Sequence, residues 1–209
     1  MRLLRPVILA GLFVIGAGRF TSAQTVQLVP AGYPRVELAG GVGWQGVRRP
    51  SFENWNQRYD TGTAGATAGF FWTRHLKTEV AVWTSGAGTM FESVPVPPVS
   101  GRPATFRYLE HAYQQTAVSP ALSYQFLENR WVHPFVSAGV DFVHERHEVF
   151  EIERNARTAE STHLVDPFVG AGAKFFMTER SFVRSDIKYA FRDSETDRTT
   201  WTAGVGFEF

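Results

Sequence analysis

Thr200-Trp201-Thr202-Ala203-Gly204-Val205-Gly206-Phe207-Glu208-Phe209 closes the sequence. Read at a period of two, Trp201, Ala203, Val205, Phe207 and Phe209 share one face. Thr202, Gly204, Gly206 and Glu208 share the other. In a water-soluble sheet the apolar face would look onto a core. Here the opposite face is small and polar and carries a carboxylate. That combination suits a strand whose oily side meets lipid and whose other side lines a narrow lumen.

Seven further segments upstream show the same alternation. Residues 35–47 set Val36, Leu38, Val42 and Trp44 against Glu37, Ala39, Gly41, Gly43 and Gln45. Residues 62–73 end in Phe70-Phe71-Trp72, and a third run from about Thr78 opposes Glu79 and Trp83 to Val80 and Val82. The remaining runs are 108–126, 132–144, 164–177 and 182–191. In the run at 164–177, Val165, Val169, Ala171, Ala173 and Phe175 oppose Asp166, Gly170, Gly172 and Lys174. Connections alternate in length. Residues 74–77, 127–130 and 178–181 are short, whereas 48–61, 87–107, 145–163 and 192–199 are longer and polar. Short turns at one end and long loops at the other are the pattern of a transmembrane barrel. The predicted fold is all-β, an eight-stranded antiparallel up-and-down transmembrane β-barrel.

The amino-terminal region reads differently. Arg2 and Arg5 precede an apolar stretch at 7–17, and Thr21-Ser22-Ala23 forms a small-residue cleavage site. About 11 apolar residues fall short of the roughly 20 that a helix needs to cross a bilayer. Residues 1–23 are therefore expected to be a cleaved signal peptide and 24–209 the barrel. There are no cysteines, which excludes a lipid-modified amino terminus, a disulfide scaffold and thiolate metal ligation. A net charge of +1 gives no electrostatic case for nucleic acid binding. The mean hydropathy of −0.17 is ordinary, as expected where alternate residues of each strand line a polar lumen.

Pro134-Phe135-Val136-Ser137-Ala138-Gly139 returns as Pro167-Phe168-Val169-Gly170-Ala171-Gly172. Convergence explains this better than duplication, because small residues face a crowded lumen and aromatics favour the bilayer interface. On this reading Trp131, Phe182 and Phe209 belong to a periplasmic aromatic girdle, and Trp44, Phe142, Tyr189 and Trp201 to an outer one.

With these features in view, the chain resembles the eight-stranded outer-membrane β-barrel family that includes the OmpA transmembrane domain, OmpX-type proteins and opacity-like adhesins. The resemblance rests on residues 167–176, the turn 178–181, strand 182–191 and the aromatic end at Phe209. It implies residence in the outer membrane of a diderm bacterium, as a monomer among outer-membrane lipid and lipopolysaccharide. It also implies delivery by the barrel-assembly machinery, with Phe207 and Phe209 as the assembly signal. No peptidoglycan-binding domain follows Phe209 in the sequence, so no tethering role is carried over.

The inward face collects Glu37, Glu79, Asp141, Asp166, Asp186 and Glu208 against Lys174, Arg184 and Lys188. Eight strands leave an interior that side chains fill, so these charges are expected to pair and plug the barrel. A small-solute or ion pore is the alternative. A lipid A-modifying enzyme is a second alternative, with His144, Glu145, His147, Glu148 and His163 near the outer rim. However, residues three apart on a strand face opposite sides, so His144 and His147 do not converge, and no His-x-Ser unit is present. A lipocalin is disfavoured because Gly41-Val42-Gly43-Trp44 departs from its Gly-x-Trp signature. No catalytic residue, cofactor or metal is expected.

The loops remain as the functional surface. Arg48, Arg49 and Arg58 interleave with Phe52, Trp55 and Tyr59, a patch suited to a partner or to lipopolysaccharide phosphates. Pro95-Val96-Pro97-Pro98 reads as a stiff exposed arm. Residues 148–153 keep strict alternation, so Phe150 and Ile152 are expected on a protruding sheet edge able to bind an extracellular protein by strand addition. The expected role is structural or surface-binding, of adhesion type.

Overall fold

In the computed structural model the chain is a closed sheet of antiparallel strands. The structure describes residues 34–50, 56–98, 105–126, 129, 131–152, 154–192 and 197–209. The expected signal peptide, Phe52 and Trp55 lie outside the described residues.

Among the described residues nine strands follow one another: β1 (Val36–Pro50), β2 (Asn56–Phe71), β3 (Leu76–Ser85), β4 (Gly88–Val96), β5 (Thr105–Gln125), β6 (Val132–Glu151), β7 (Ala156–Phe176), β8 (Ser181–Phe191) and β9 (Asp197–Glu208). They make eight staves, because β3 and β4 are successive pieces of one. β3 pairs with the second half of β5, from Thr84↔Thr116 to Leu76↔Tyr124, and β4 pairs with the first half, from Gly88↔Tyr113 to Val96↔Thr105. The break falls at Gly86-Ala87. The last strand closes on the first through Glu37↔Glu208 to Arg48↔Asp197.

The register fixes the barrel's shape. Paired positions run from Glu37 through Gly69, Glu79, Ala121, Gly139, Phe168, Ala190 and Arg198, and return to β1 at Val47, ten residues further along. A shear of that size on eight staves means strands tilted by about 40°. Closure gives each stave a hydrogen-bonded neighbour on both sides, as a sheet in lipid requires. Gly41 and Gly204 face each other across the closing seam, where a Cβ on either would press on the other strand's backbone.

Lipid-facing positions carry exposed Leu38, Val42, Val80, Leu122, Val165, Val169, Ile187 and Val205. Trp72, Phe126, Trp131, Phe175 and Phe209 ring the end with the short turns, and Trp44, Phe142, Tyr189, Phe191 and Trp201 ring the other. Phe182 does not join the first ring. It is fully buried, because it shares parity with Arg184 and therefore faces the lumen.

Beyond the outer ring the strands continue where the sequence suggested loops. β5, β6 and β7 pair out to Leu109↔Glu151 and Glu151↔Ala156, nine residues past Phe142 on β6. At about 3.3 Å per residue and the barrel's tilt this is roughly 20 Å of protruding sheet. The segment taken as a stiff arm is the outer edge strand of that sheet, with Pro95 opposite Phe106. An edge tolerates proline because one side needs no ladder donor. The segment of β6 carrying Phe150 is not an edge. It lies between β5 and β7, and the free edge belongs to β7: among the described residues, its pairing with β8 begins only at Phe168↔Ala190.

Candidate functional site

Two layers of paired charges cross the lumen. In the layer nearer the short turns, Lys77 donates to Glu37 at 2.8 Å and contacts Glu79 at 3.0 Å. Lys174 bonds Glu37 and, at 2.9 Å, Glu208. Arg184 grips Glu79 with both terminal nitrogens and reaches Asp186 at 2.9 Å. An aromatic floor supports the cations. Lys174 sits about 5 Å from the centroids of Phe71 and Phe182, and Arg184 lies 4.5 Å from that of Phe135.

In the outer layer Lys188 donates to Asp141 at 3.0 Å, and Arg192 makes a two-pronged contact with Asp166 at 2.9 and 3.0 Å. Arg198 bonds Asp141 and reaches Asp166 at 3.3 Å. Gln115 donates to Glu145 at 2.6 Å, and Gln45 to Gln115 at 2.9 Å. Between the layers lies a chamber of about 100 Å³, lined by Glu79, Trp83, Arg184, Asp186, Lys188 and Thr200 among others. Such a space has room for several waters.

All nine inward charges read from the sequence face this network. Lys77, Arg192 and Arg198 were missed because they sit in segments read as turns or loops. Parity would have found Arg198, since it is in phase with Thr200 and Thr202.

Above the charges, a stack of rings closes the outer mouth. Tyr59 and Tyr113 lie 5.3 Å apart and nearly parallel, and His147 stacks on Tyr113 at 4.3 Å. The His111 and His147 rings share a hydrogen bond of 3.0 Å, and the second His111 nitrogen meets Glu92 at 3.1 Å. Tyr59 is thus a correction: it is 3% exposed and lies inside the mouth rather than in a surface patch. β2 already extends over its position, and odd-numbered residues there turn inward.

Arg48 and Arg58 do stand on the outer wall, as directly opposed partners on β1 and β2. Arg49 is on β1, and its side chain lies outside the described residues. His144 also faces outward, with its ring 4.8 Å from that of His163. His144 and His147 therefore look to opposite sides of β6. On the protruding sheet, Phe150 lies under Arg157 at 6.0 Å and Ile152 is half exposed. Phe207 and Phe209 point toward lipid at the barrel's other end, where the Phe209 amide donates to the Val36 carbonyl at 2.8 Å.

A closed antiparallel barrel with an apolar outer wall, two aromatic rings and an ion-paired lumen defines an outer-membrane protein. The family model for the outer membrane protein beta-barrel domain matches residues 8–209, and the chain belongs to that family. No curated protein matches it. Among solved structures, it is similar to Neisserial surface protein A (13% identity, TM-score 0.55, covering 83% of this chain and 96% of that one). It is also similar to OprG of Pseudomonas aeruginosa (12%, 0.53, 85% and 98%) and to Ail, the attachment invasion locus protein of Yersinia pestis (12%, 0.52, 84% and 99%). At these identities the likeness is one of fold. The protein is an outer-membrane β-barrel.

Proposed function

We propose that this barrel is a surface-binding protein of adhesion type, and that it engages an extracellular protein partner through the free edge of β7. The observation that carries this reading is the segment Ala156–His163. Each of its residues is exposed, and its only ladder partner among the described residues is β6. An edge held open beyond the membrane presents backbone donors and acceptors to an extended segment of another chain. Such a role suits a fold that is also used by Ail, an attachment invasion locus protein.

Two paired layers across the lumen speak against a pore, and the divergent His144 and His147 speak against rim catalysis. The test trims the sheet without touching the barrel. Residues 148–159, which begin and end at the paired positions Glu148↔Ala159, are replaced by Asn-Gly. Bacteria expressing the trimmed protein should lose adhesion to cultured epithelial cells and keep a folded, heat-modifiable barrel. Undiminished adhesion would refute the proposal.

A further inference from the structure

Arg48 and Arg58 oppose each other directly on adjacent strands, on the face that points away from the lumen. Like charges in that position repel, since their Cβ atoms stand only about 5 Å apart. Each guanidinium is drawn to a carboxylate on its own side. Arg48 reaches Asp197 of β9 at 3.4 Å, and Arg58 bonds Asp60 at 3.1 Å. Both side chains remain half exposed.

The wall is shaped for this arrangement. Gly46 lies on the outward face of β1 between Trp44 and Arg48, and a Cβ there would run into the Arg58 guanidinium. Without that Cβ, Arg58 lies flat on the strand, 4.9 Å from the Trp44 ring centroid. A cavity of about 180 Å³ opens between the two arginines, with Tyr189, Asp197 and Thr199 on its far side. The Asp197 carboxylate would repel an anion, but the Tyr189 hydroxyl donates to it at 3.1 Å and Arg48 pairs with the same oxygen. The two arginines keep donors to spare, because a guanidinium carries five.

Height selects the occupant. Arg48 stands four residues past Trp44, roughly 10 Å along the barrel axis from the outer aromatic ring. That is headgroup depth, on the wall that faces away from the lumen toward the outer leaflet. We propose that Arg48 and Arg58 grip a phosphate group of a phosphorylated glycolipid headgroup, each guanidinium offering paired N–H donors to its oxygens. Trp44 and Tyr189 flank the grip and hold the lipid's upper acyl region against the barrel. The site is independent of the β7 edge.

Native mass spectrometry of the purified full chain in detergent with EDTA tests this, since chelation removes bridging cations. The probes are bisphosphorylated lipid A, the same lipid with both phosphates removed, and inorganic phosphate. The wild type should retain bisphosphorylated lipid A at least fivefold better than the dephosphorylated form. The double variant Arg48→Gln/Arg58→Gln should lose at least fivefold of that retention while staying heat-modifiable. Asp60→Asn/Asp197→Asn, which frees both arginines, should retain lipid A as well as the wild type or better. Loss of binding in the asparagine variant would reduce the arginines to a structural role and overturn the grip. Equal retention of the dephosphorylated lipid, or by the glutamine variant, would overturn it as well. Displacement of the lipid by equimolar inorganic phosphate would overturn the lipid assignment.

Discussion

Arg184 on β8 and Glu79 on β3, 105 residues apart in sequence, meet in the lumen through two parallel hydrogen bonds of 3.1 and 3.2 Å. The pair joins staves that are not neighbours in the sheet, so it braces the barrel across its width. Removing one partner of a buried pair strands the other. Glu79→Gln should therefore cost about 3 kcal/mol, at the low end for such losses because Asp186 still engages Arg184. Urea unfolding in lipid vesicles, followed by tryptophan fluorescence, reads this directly. In a double-mutant cycle, Glu79→Gln/Arg184→Gln should cost less than the sum of the single changes. Strict additivity would mean that the pair does not brace the barrel.

The closing seam offers a sharper steric test. Gly204 on the lumen side of β9 sits against the backbone of Gly40 and Gly41, whereas a Cβ on Gly40, facing lipid, meets nothing nearer than 3.8 Å. Gly204→Val should reduce the fraction that folds to the heat-modifiable form several-fold. Gly40→Val, on the same seam, should leave it unchanged or raised, since a β-branched residue suits a lipid-facing strand. Equal effects would show that closure tolerates bulk at the seam.

Deleting Phe209 separates assembly from stability. The side chain is largely exposed, and its loss removes three backbone hydrogen bonds, from its amide to the Val36 carbonyl and to its carbonyl from the Arg35 and Val36 amides, so unfolding of the purified protein should shift by about 3 kcal/mol or less. The amount reaching the outer membrane of growing cells should fall much further. Normal insertion would end the reading of this residue as an assembly signal.

In planar bilayers the wild type should show no large, stable conductance, because an ion would have to displace partners in both charge layers. Arg198→Ala/Lys188→Ala strips the outer layer of two cations and should raise the frequency of small openings. Large steady openings from the wild type would favour the pore.

The sequence was most informative where lipid imposes a rule. Along β1, β7 and β9 every second residue must suit hydrocarbon, so Val36, Leu38, Val165 and Val205 declared their face and Glu37, Asp166 and Glu208 followed from parity. The rule weakens near the barrel's ends. Phe182 was assigned to a girdle by residue type, although its phase with Arg184 places it under Lys174 as part of the lumen floor. Beyond the outer ring the lipid rule no longer applies, so nothing in 87–107 marked the ladder of β4 with β5, and the alternation at 148–153 announced a protruding strand without showing that β5 and β7 flank it. Tyr59 was read as part of a surface patch for the same reason. The His111–His147 contact depends on a register that those polar stretches do not announce. The Arg48–Arg58 opposition was half visible, as a basic and aromatic cluster whose direct pairing only the β1–β2 register supplies.

The absence of cysteine makes the most direct test of the whole account a clean one. Ser161→Cys places a lone thiol on the exposed β7 edge, and Thr178→Cys places one in a short turn at the barrel's other end. Intact cells are treated with a membrane-impermeant maleimide and compared with permeabilised cells. A lipid-spanning barrel with the β7 edge held outside predicts labelling of Ser161→Cys in intact cells, and of Thr178→Cys only after permeabilisation. Labelling of both in intact cells, or of Thr178→Cys alone, would contradict it.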